Sequence, residues 1–418
     1  MSDKNPLHRT SPWLHLPLVL LGLLFLFPLV WLVVSSLQPR EQVGLIPPQW
    51  LPRRHYLTLD GRTFPVTPPE PILSEQRLVK PLDGPDRGRR RLVAAGRYRD
   101  GQLTQTVFTD GRREERVFPA ELIQAVPAGS RYVREWAPSK YRTDTPREFY
   151  VSPDRLSVRI QPVWGNYPEA VRALTAGEDA KKLPLRELLG RTRWPWTPKD
   201  APEHTVTFLT YLANSLVVAV LGMIGTLLSS SLVAYGLARI QWRGRGLLFT
   251  LILATMMVPF PVLMVPLYGL FRSLGWIGTL MPLWVPAWCG SAFNIFLLRQ
   301  FFLTIPAELT DAARIDGCSE FGIYWRIMLP LVKPALAVVA LFHFLYAWND
   351  FLAPLIFLTE PETFTMALGL QQYQSQHGGS EWHLLMAASV LLVLPVVALF
   401  FLAQKTFVQG IATTGGNG

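Results

Sequence analysis

The chain has 418 residues, 50% of them apolar and only 17% charged, with a mean hydropathy of +0.22. A typical soluble domain is about 25% charged, so this composition excludes an ordinary soluble enzyme, and its apolar content excludes intrinsic disorder. Two cysteines, Cys289 and Cys318, exclude a disulfide-framed secreted scaffold, and the net charge of +10 is unevenly placed. Residues 38–210 hold 29 of the 40 Lys+Arg and 21 of the 30 Asp+Glu. The rest is almost uncharged, the pattern of a membrane protein carrying a soluble insert.

A helix needs about 20 mostly apolar residues to cross the hydrocarbon core. Six segments meet this: 12–37, 211–238, 247–271, 280–302, 335–358 and 384–404. The first is longer than a signal-peptide core and runs on through Phe27-Pro28-Leu29-Val30-Trp31, so it reads as an uncleaved anchor. After it, the Asp-Gly pairs at 60–61, 100–101 and 110–111 separate short strand-like runs at 97–98, 103–108 and 116–118. Asp-Gly suits the two-residue hairpin turn, so a β-rich domain with a basic surface, Arg87 and Arg89 to Arg91 included, is expected over about 56–158. Acidic protein surfaces or anionic lipid head groups suit that surface, as does plain solvation.

The second span carries Gly222, Thr226, Ser230, Ala234 and Ala238 at every fourth position, a small-residue stripe that lets membrane helices approach closely. It fits packing within the chain or a seam against another membrane subunit. Prolines 259, 261, 266, 282, 286 and 354 in spans three to five indicate kinked helices, for packing or around a pathway. Lys and Arg in the short loops give the orientation. With the N-terminus inside, Lys4, Arg9, Arg239, Arg243, Arg245, Arg299, Arg314, Arg326, Lys333 and Lys405 fall on the inner side and Arg272 alone on the outer. Both termini are therefore expected in the cytoplasm and residues 38–210 outside, where long domains translocate regardless of charge, leaving no route to nucleic acid.

Between spans four and five, residues 304–334 read as helix, glycine, helix. Thr304 is a candidate cap, Gly317 a left-handed stop and Ser319 a second cap, while Pro330 and Pro334 close the segment. Phe321, Tyr324, Trp325 and Met328, at i, i+3, i+4 and i+7, would share one apolar face. Among intramembrane polar groups, Asn294, Asn349 and Asp350, with Trp348 beside them, are candidates to line a pathway. A sugar would offer hydroxyls to the Asn and Asp groups and a face to the indole. The loop at 359–383 is polar, with Gln371, Gln372, Tyr373 and a Gly378-Gly379 hinge.

Asp311-Ala312-Ala313, then Asp316-Gly317, then Ile327-Met328-Leu329-Pro330 resemble the EAA loop of binding-protein-dependent ABC transporter permeases. Tyr211 to Leu216, Ala234 to Arg239, Trp348-Asn349-Asp350 and Phe407 to Gly410 are similar to the maltose-type, carbohydrate-uptake branch. One departure is Asp311, where the family has glutamate, a side chain one methylene longer.

The resemblance implies an all-α polytopic membrane protein with six transmembrane helices, and the β-rich extracytoplasmic insert expected between helices 1 and 2 departs from the family. Its parts would be 1–37 (tail and first helix), 38–210 (external loop with the insert) and 211–418 (permease core). It implies the permease subunit of an ATP-driven sugar importer in a bacterial inner membrane. Asp311, Ala312, Ala313, Asp316, Gly317, Leu329 and Pro330 would couple to an ATPase dimer. A second permease subunit, an extracytoplasmic sugar-binding protein contacted through Gln371, Gln372 and Tyr373, and membrane lipid complete the partners. No G-x-x-x-x-G-K-[ST] loop, H-E-x-x-H or C-x-x-C spacing and no nucleophile–base pattern occurs, so no cofactor, metal or catalysis is expected in this chain, and ATP and Mg belong to the ATPase. The rival is a self-sufficient ion-coupled secondary transporter, which wants more intramembrane carboxylates than Asp350. A membrane-anchored enzyme acting through the insert lacks any acid–base pattern.

Overall fold

The computed structural model describes residues 12–40, 42–43, 48–109, 112–135, 147–175, 178–198, 201, 204–376 and 381–414. They divide into two compact units, Met1–Asn166 and Tyr167–Gly418. The Asp-Gly pair at 110–111, the Gly378-Gly379 pair and the basic residues Lys4 and Arg9 lie outside the described residues.

The first unit opens with α1 (Pro12–Ser36), whose described side chains from Leu16 to Val30 are exposed apolar groups, as a lipid-facing helix requires. Among the described residues eleven strands follow: β1 (Arg53–Leu59), β2 (Arg62–Val66), β3 (Glu70–Pro71), β4 (Gln76–Pro81), β5 (Arg91–Ala94), β6 (Tyr98–Arg99), β7 (Gln102–Thr109), β8 (Arg112–Val126), β9 (Arg131–Arg134), β10 (Glu148–Val151) and β11 (Leu156–Ile160). They form three antiparallel sheets, ordered β11-β1-β2, β10-β9-β3 and β5-β4-β8-β7-β6. Asp60-Gly61 and Asp100-Gly101 make the β1–β2 and β6–β7 turns with φ of 49° and 74°, and 49° and 81°, the double positive φ that this tight hairpin needs. Leu57, Val66, Val133 and Val151 form one small core, and Val79, Tyr98, Leu103 and Ala120 another.

The strand-rich region begins and ends at one place. Arg53 pairs with Ile160, and the Gln161 amide donates to the Pro52 carbonyl at 2.9 Å. The Val163 amide donates to Leu37 O at 2.8 Å, and Asn166 Nδ2 donates to Ser36 O and Gln38 O, both at 2.8 Å. Residues a hundred positions apart thus sit side by side at the end of α1.

The second unit begins with α2 (Asn166–Ala173), α3 (Glu178–Lys181) and α4 (Leu185–Gly190). Then come α5 (Phe208–Ala238), α6 (Arg245–Thr255), α7 (Phe260–Ser273), the short α8 (Met281–Trp284) and α9 (Ala292–Thr304). The chain continues through α10 (Ala307–Ile315), α11 (Glu320–Ile323), α12 (Leu329–Leu331), α13 (Lys333–Asn349), α14 (Leu352–Phe357), α15 (Met366–Gln376) and α16 (Trp382–Thr414). Residues expected in the outer loop, Ala170, Ala173, Leu174 and Val206, share one core with Tyr211 of α5, Leu368 and Tyr373 of α15 and Leu384 of α16.

Among the described residues, four helices are long and apolar enough to cross a bilayer alone: Val19–Ser36, Phe208–Ala238, Met281–Thr304 and Trp382–Leu402. Two bent pairs raise the number to six if each is one crossing. The expected straight span at 247–271 is broken, with α6 and α7 meeting at 97°. Pro259, extended at φ −70° and ψ 140°, lacks the amide that would continue α6 and disfavours a helical Val258. The expected span at 335–358 is interrupted at Asp350–Phe351, because Pro354 cannot donate to the Asp350 carbonyl. The small-residue stripe of α5 is buried within the chain's own bundle. A side chain at Gly222 would fall 2.5 Å from the His343 ring of α13, and one at Gly225 would fall 2.2 Å from the Trp288 ring.

Candidate functional site

The segment from α10 to α12 folds as an elbow. Helix α10 ends in a doubly bonded stop: Gly317 N donates to Arg314 O at 3.0 Å and Cys318 N to Ala313 O at 2.9 Å, with Gly317 at φ +77°. This is the Schellman arrangement, and only glycine adopts its left-handed residue without strain. Ser319 then caps α11 by accepting from Gly322 N at 3.1 Å. The expected cap at Thr304 is not formed: Thr304 is the last residue of α9 and its hydroxyl donates to Phe301 O, while Pro306 starts α10.

The aromatic stripe is also divided. Residues Tyr324–Met328 form a π-helical turn, which winds more residues per turn and breaks the 3.6 period. Tyr324 and Met328 are buried in a core with Tyr235, Phe302, Ala313 and Ile323, whereas Phe321 and Trp325 are 65% and 53% exposed. The two exposed rings stack at 6.3 Å and 16°.

Charge organises the rest of the elbow. Arg314 Nη1 donates to Asp311 Oδ1 at 2.9 Å on its own helix, and its Nε donates to Glu320 Oε1 at 2.7 Å across the Gly317 stop. Glu320 Oε2 accepts from the Tyr235 hydroxyl of α5 at 2.8 Å. Bonding to Arg314 holds the Glu320 carboxyl below its ordinary range, and bonding to Glu320 raises Arg314. Tyr324 OH shares a 2.7 Å hydrogen bond with Ser231 Oγ of α5. Arg239, at the end of α5, donates to the Phe302 and Ile305 carbonyls, placing a cation where the dipole of α9 ends negative. Asp311 therefore already has a basic partner within the chain. Ala312 and Asp316 are exposed, Ala313 is buried against α5, Leu329 is half-buried and Pro330 exposed.

A second candidate feature is a cavity of about 630 Å³ among α5, α7, α9 and α13, lined by Thr226, Asn294, His343, Tyr346 and Asp350 among mostly apolar groups. Asn294 Oδ1 and His343 Nε2 are buried there with no hydrogen-bond partner among the described residues, and His343 Nδ1 bonds to the Thr226 hydroxyl at 3.1 Å. The structure separates the four pathway residues read from sequence. Asn294 and Asp350 line the cavity, but Trp348 is buried with its Nε1 donating to Leu392 O of α16, and Asn349 Nδ2 donates to Leu345 O in its own helix. Position 348 lies about 200° round the helix from 350, so sequence neighbours face opposite ways. His343, Tyr346 and Asp350, at i, i+3 and i+7, make the face instead.

Within the polar loop at 359–383, residues Met366–Gln376 form α15. Asn214 Nδ2 donates to the Glu362 and Phe364 carbonyls at 2.8 and 2.9 Å, and Ser215 Oγ accepts from Met366 N at 2.8 Å. Gln371 is exposed and Gln372 half-buried. Tyr373, expected to reach outward, is 5% exposed and its hydroxyl donates to Glu381. Helical winding turns it to the face opposite Gln371, into the core.

A family model described as binding-protein-dependent transport system inner membrane component matches residues 225–413. The arabinooligosaccharides transport system permease protein AraQ of Halalkalibacterium halodurans is 38% identical over 211 residues, covering 50% of this chain and 75% of that one. The chain belongs to this family. Two further permeases widen the view of their cargo. The trehalose/maltose transport system permease protein MalG of Thermococcus litoralis is 36% identical, over 50% of this chain and 76% of its own. The sn-glycerol-3-phosphate transport system permease protein UgpE of Yersinia enterocolitica is 35% identical, over 50% and 74%. Membership favours an ABC importer permease over a self-sufficient ion-coupled carrier. Both the elbow and the cavity fall within the matched residues, and the β-rich unit lies outside them. Sequence reasoning passed over Tyr235, Arg239, Arg314 and Glu320 as site residues. The one available signal was a basic and an acidic residue flanking a glycine stop.

Proposed function

We propose that this permease is the membrane subunit of a sugar importer in which the elbow receives the motion of a separate ATPase dimer. The observation that carries the reading is the elbow's construction: a Schellman stop at Gly317 joining two short helices, with the Phe321–Trp325 ring pair exposed on one and Asp311 and Asp316 exposed on or at the end of the other. Exposed aromatics on a rigid frame suit the anchor role in a protein groove. Asp311, Ala312, Ala313, Asp316, Gly317, Leu329 and Pro330 form or frame the docking face. ATP and Mg act on the ATPase, and this chain contributes no catalytic group of its own.

The chain crosses the inner membrane six times, α6 with α7 making one crossing and α13 another, with both termini and the elbow in the cytoplasm. The strand-rich region is an insert between the first two crossings, because its entry at Arg53 and exit at Ile160 are paired strand residues. It faces the extracytoplasmic side and contacts anionic lipid or an acidic protein surface. The parts are the first helix (1–37), the outer region (38–210) and the core (211–418). A second permease completes the pathway. The cavity holding Asn294, His343, Tyr346 and Asp350 forms this chain's share of it, with groups suited to sugar hydroxyls. An extracytoplasmic binding protein delivers the sugar near Gln371 and Gln372. Cargo names among the relatives support a carbohydrate or a related polyol derivative.

The test is Gly317→Pro in the assembled transporter. Proline fixes φ near −65° and cannot adopt the left-handed residue. Uptake is expected to be lost while the amount of permease in the membrane is unchanged. Wild-type ATP-dependent uptake would refute the coupling role.

A further inference from the structure

The elbow and α5 meet through the Ser231–Tyr324 hydroxyl pair and through one carboxylate, Glu320, which accepts on both of its oxygens from two different elements. Glu320 Oε1 accepts a hydrogen bond from Arg314 Nε at 2.7 Å and Oε2 accepts one from the Tyr235 hydroxyl at 2.8 Å. Arg314 in turn holds Asp311 at 2.9 Å. The chain Asp311–Arg314–Glu320–Tyr235 therefore runs from the exposed side of α10, over the Gly317 stop, to a residue in the last turns of a 31-residue helix. Further along that helix toward its start, Thr226 bonds His343 beside the cavity.

We propose that Tyr235, Glu320 and Arg314 are positioning residues that make α5 follow the elbow, so that displacement at the docking face is carried to the cavity wall. This rests on the coupling role of the elbow. Ring packing by itself does not supply the directional link, and the Ser231–Tyr324 hydrogen bond holds α5 to the π turn without engaging α10. The Tyr235 ring lies against Tyr324 at 5.3 Å and Phe302 at 5.9 Å, contacts that tolerate sliding, whereas a carboxylate shared between a phenol and a guanidinium fixes both angle and distance. The exposed Arg314 contacts contribute little stability separately, as expected of solvated ion pairs. Their role is geometric, tying α10 and α11 into one body across the glycine.

Tyr235→Phe is the clean probe, since it removes one hydroxyl and keeps the ring in its aromatic cluster. The native thiols Cys318, at the elbow, and Cys289, near the cavity, are both exposed and accept spin labels, so the distance between them reports transmission. The measurement uses the complete transporter with otherwise cysteine-free partners, MgATP and vanadate. Wild-type protein is expected to show a vanadate-trapped change in the Cys289–Cys318 distance. Tyr235→Phe is expected to keep ATP hydrolysis within about twofold while the shifted population falls about fivefold or more, the range of a typical coupling energy. Glu320→Ala should reproduce this, and Glu320→Gln, which can still accept from Arg314 and donate to the phenol oxygen, should recover part of it. An unchanged shift in Tyr235→Phe, or a parallel fall in hydrolysis and shift, overturns the proposal. If Gly317→Pro blocks uptake while Tyr235→Phe behaves as wild type, the latch alone fails. If Gly317→Pro transports normally, the coupling role of the elbow fails with it.

Discussion

The two ends of α5 hold on to distant segments by different chemistry. Near its start, Asn214 and Ser215 bind main-chain groups at 362–366, two carbonyls and one amide. Near its finish, Tyr235 binds the side chain of Glu320, which an arginine also grips. The first joint is neutral, buried and directed at backbone. It depends little on which residues occupy the loop, and nothing in it titrates. The second is charged, half-exposed and directed at side chains, so a single atom or proton alters it. The contrast separates a joint built to stay closed from one suited to carrying a signal.

Substitutions can break this contrast, the largest effect being expected at the neutral joint. Asn214→Ala leaves the Glu362 and Phe364 carbonyls unpaired in a buried place, which costs about 1–3 kcal/mol. Thermal unfolding of the purified permease in detergent should show the loss; an unchanged midpoint would mean that water replaces the amide there. Next is Gly317→Ala, which forces a Cβ into a left-handed residue at φ +77° and costs about 1–2 kcal/mol. Since nothing lies within 4 Å of the new Cβ, the penalty is backbone strain alone, and Gly317→Asn should recover part of it. Ser215→Ala removes one neutral hydrogen bond, for about 1 kcal/mol by the same unfolding assay.

The smallest effect is a pH dependence confined to the charged joint. The Glu320 carboxyl is held below its ordinary value of 4.5, so its stabilisation is fully present above that value and is lost as pH falls through the depressed one. Acidification should therefore loosen a spin label on Cys318 without loosening one placed at residue 366, and Glu320→Gln should remove the acid limb. Equal loosening at both sites would show that the two joints do not differ as described.

How much could be foreseen depended on sequence distance. The Gly317 stop, the Ser319 cap and the Asp60-Gly61 and Asp100-Gly101 turns were legible because each depends on bonds or φ angles within about four residues. The blocks Tyr211 to Leu216 and Ala234 to Arg239 were visible as motifs, but their partners lie 63 to 151 residues away and no local pattern names them. The fate of Tyr373 and Trp348 was misread for a simpler reason. Neighbours in a motif were treated as neighbours in space, whereas a helix sends residues two apart to nearly opposite faces.

Composition and periodicity by themselves determined that this chain is built for a bilayer, where its apolar segments lie and where its turns fall, because burial preference and backbone sterics act residue by residue. Tertiary structure decided the 97° break between α6 and α7, the π turn that parts Phe321 and Trp325 from Tyr324 and Met328, and the sharing of Glu320 between Arg314 and Tyr235. Those outcomes arise where helices compete for the same space and the same hydrogen-bonding atoms, and that competition is settled only when the packed chain brings them together.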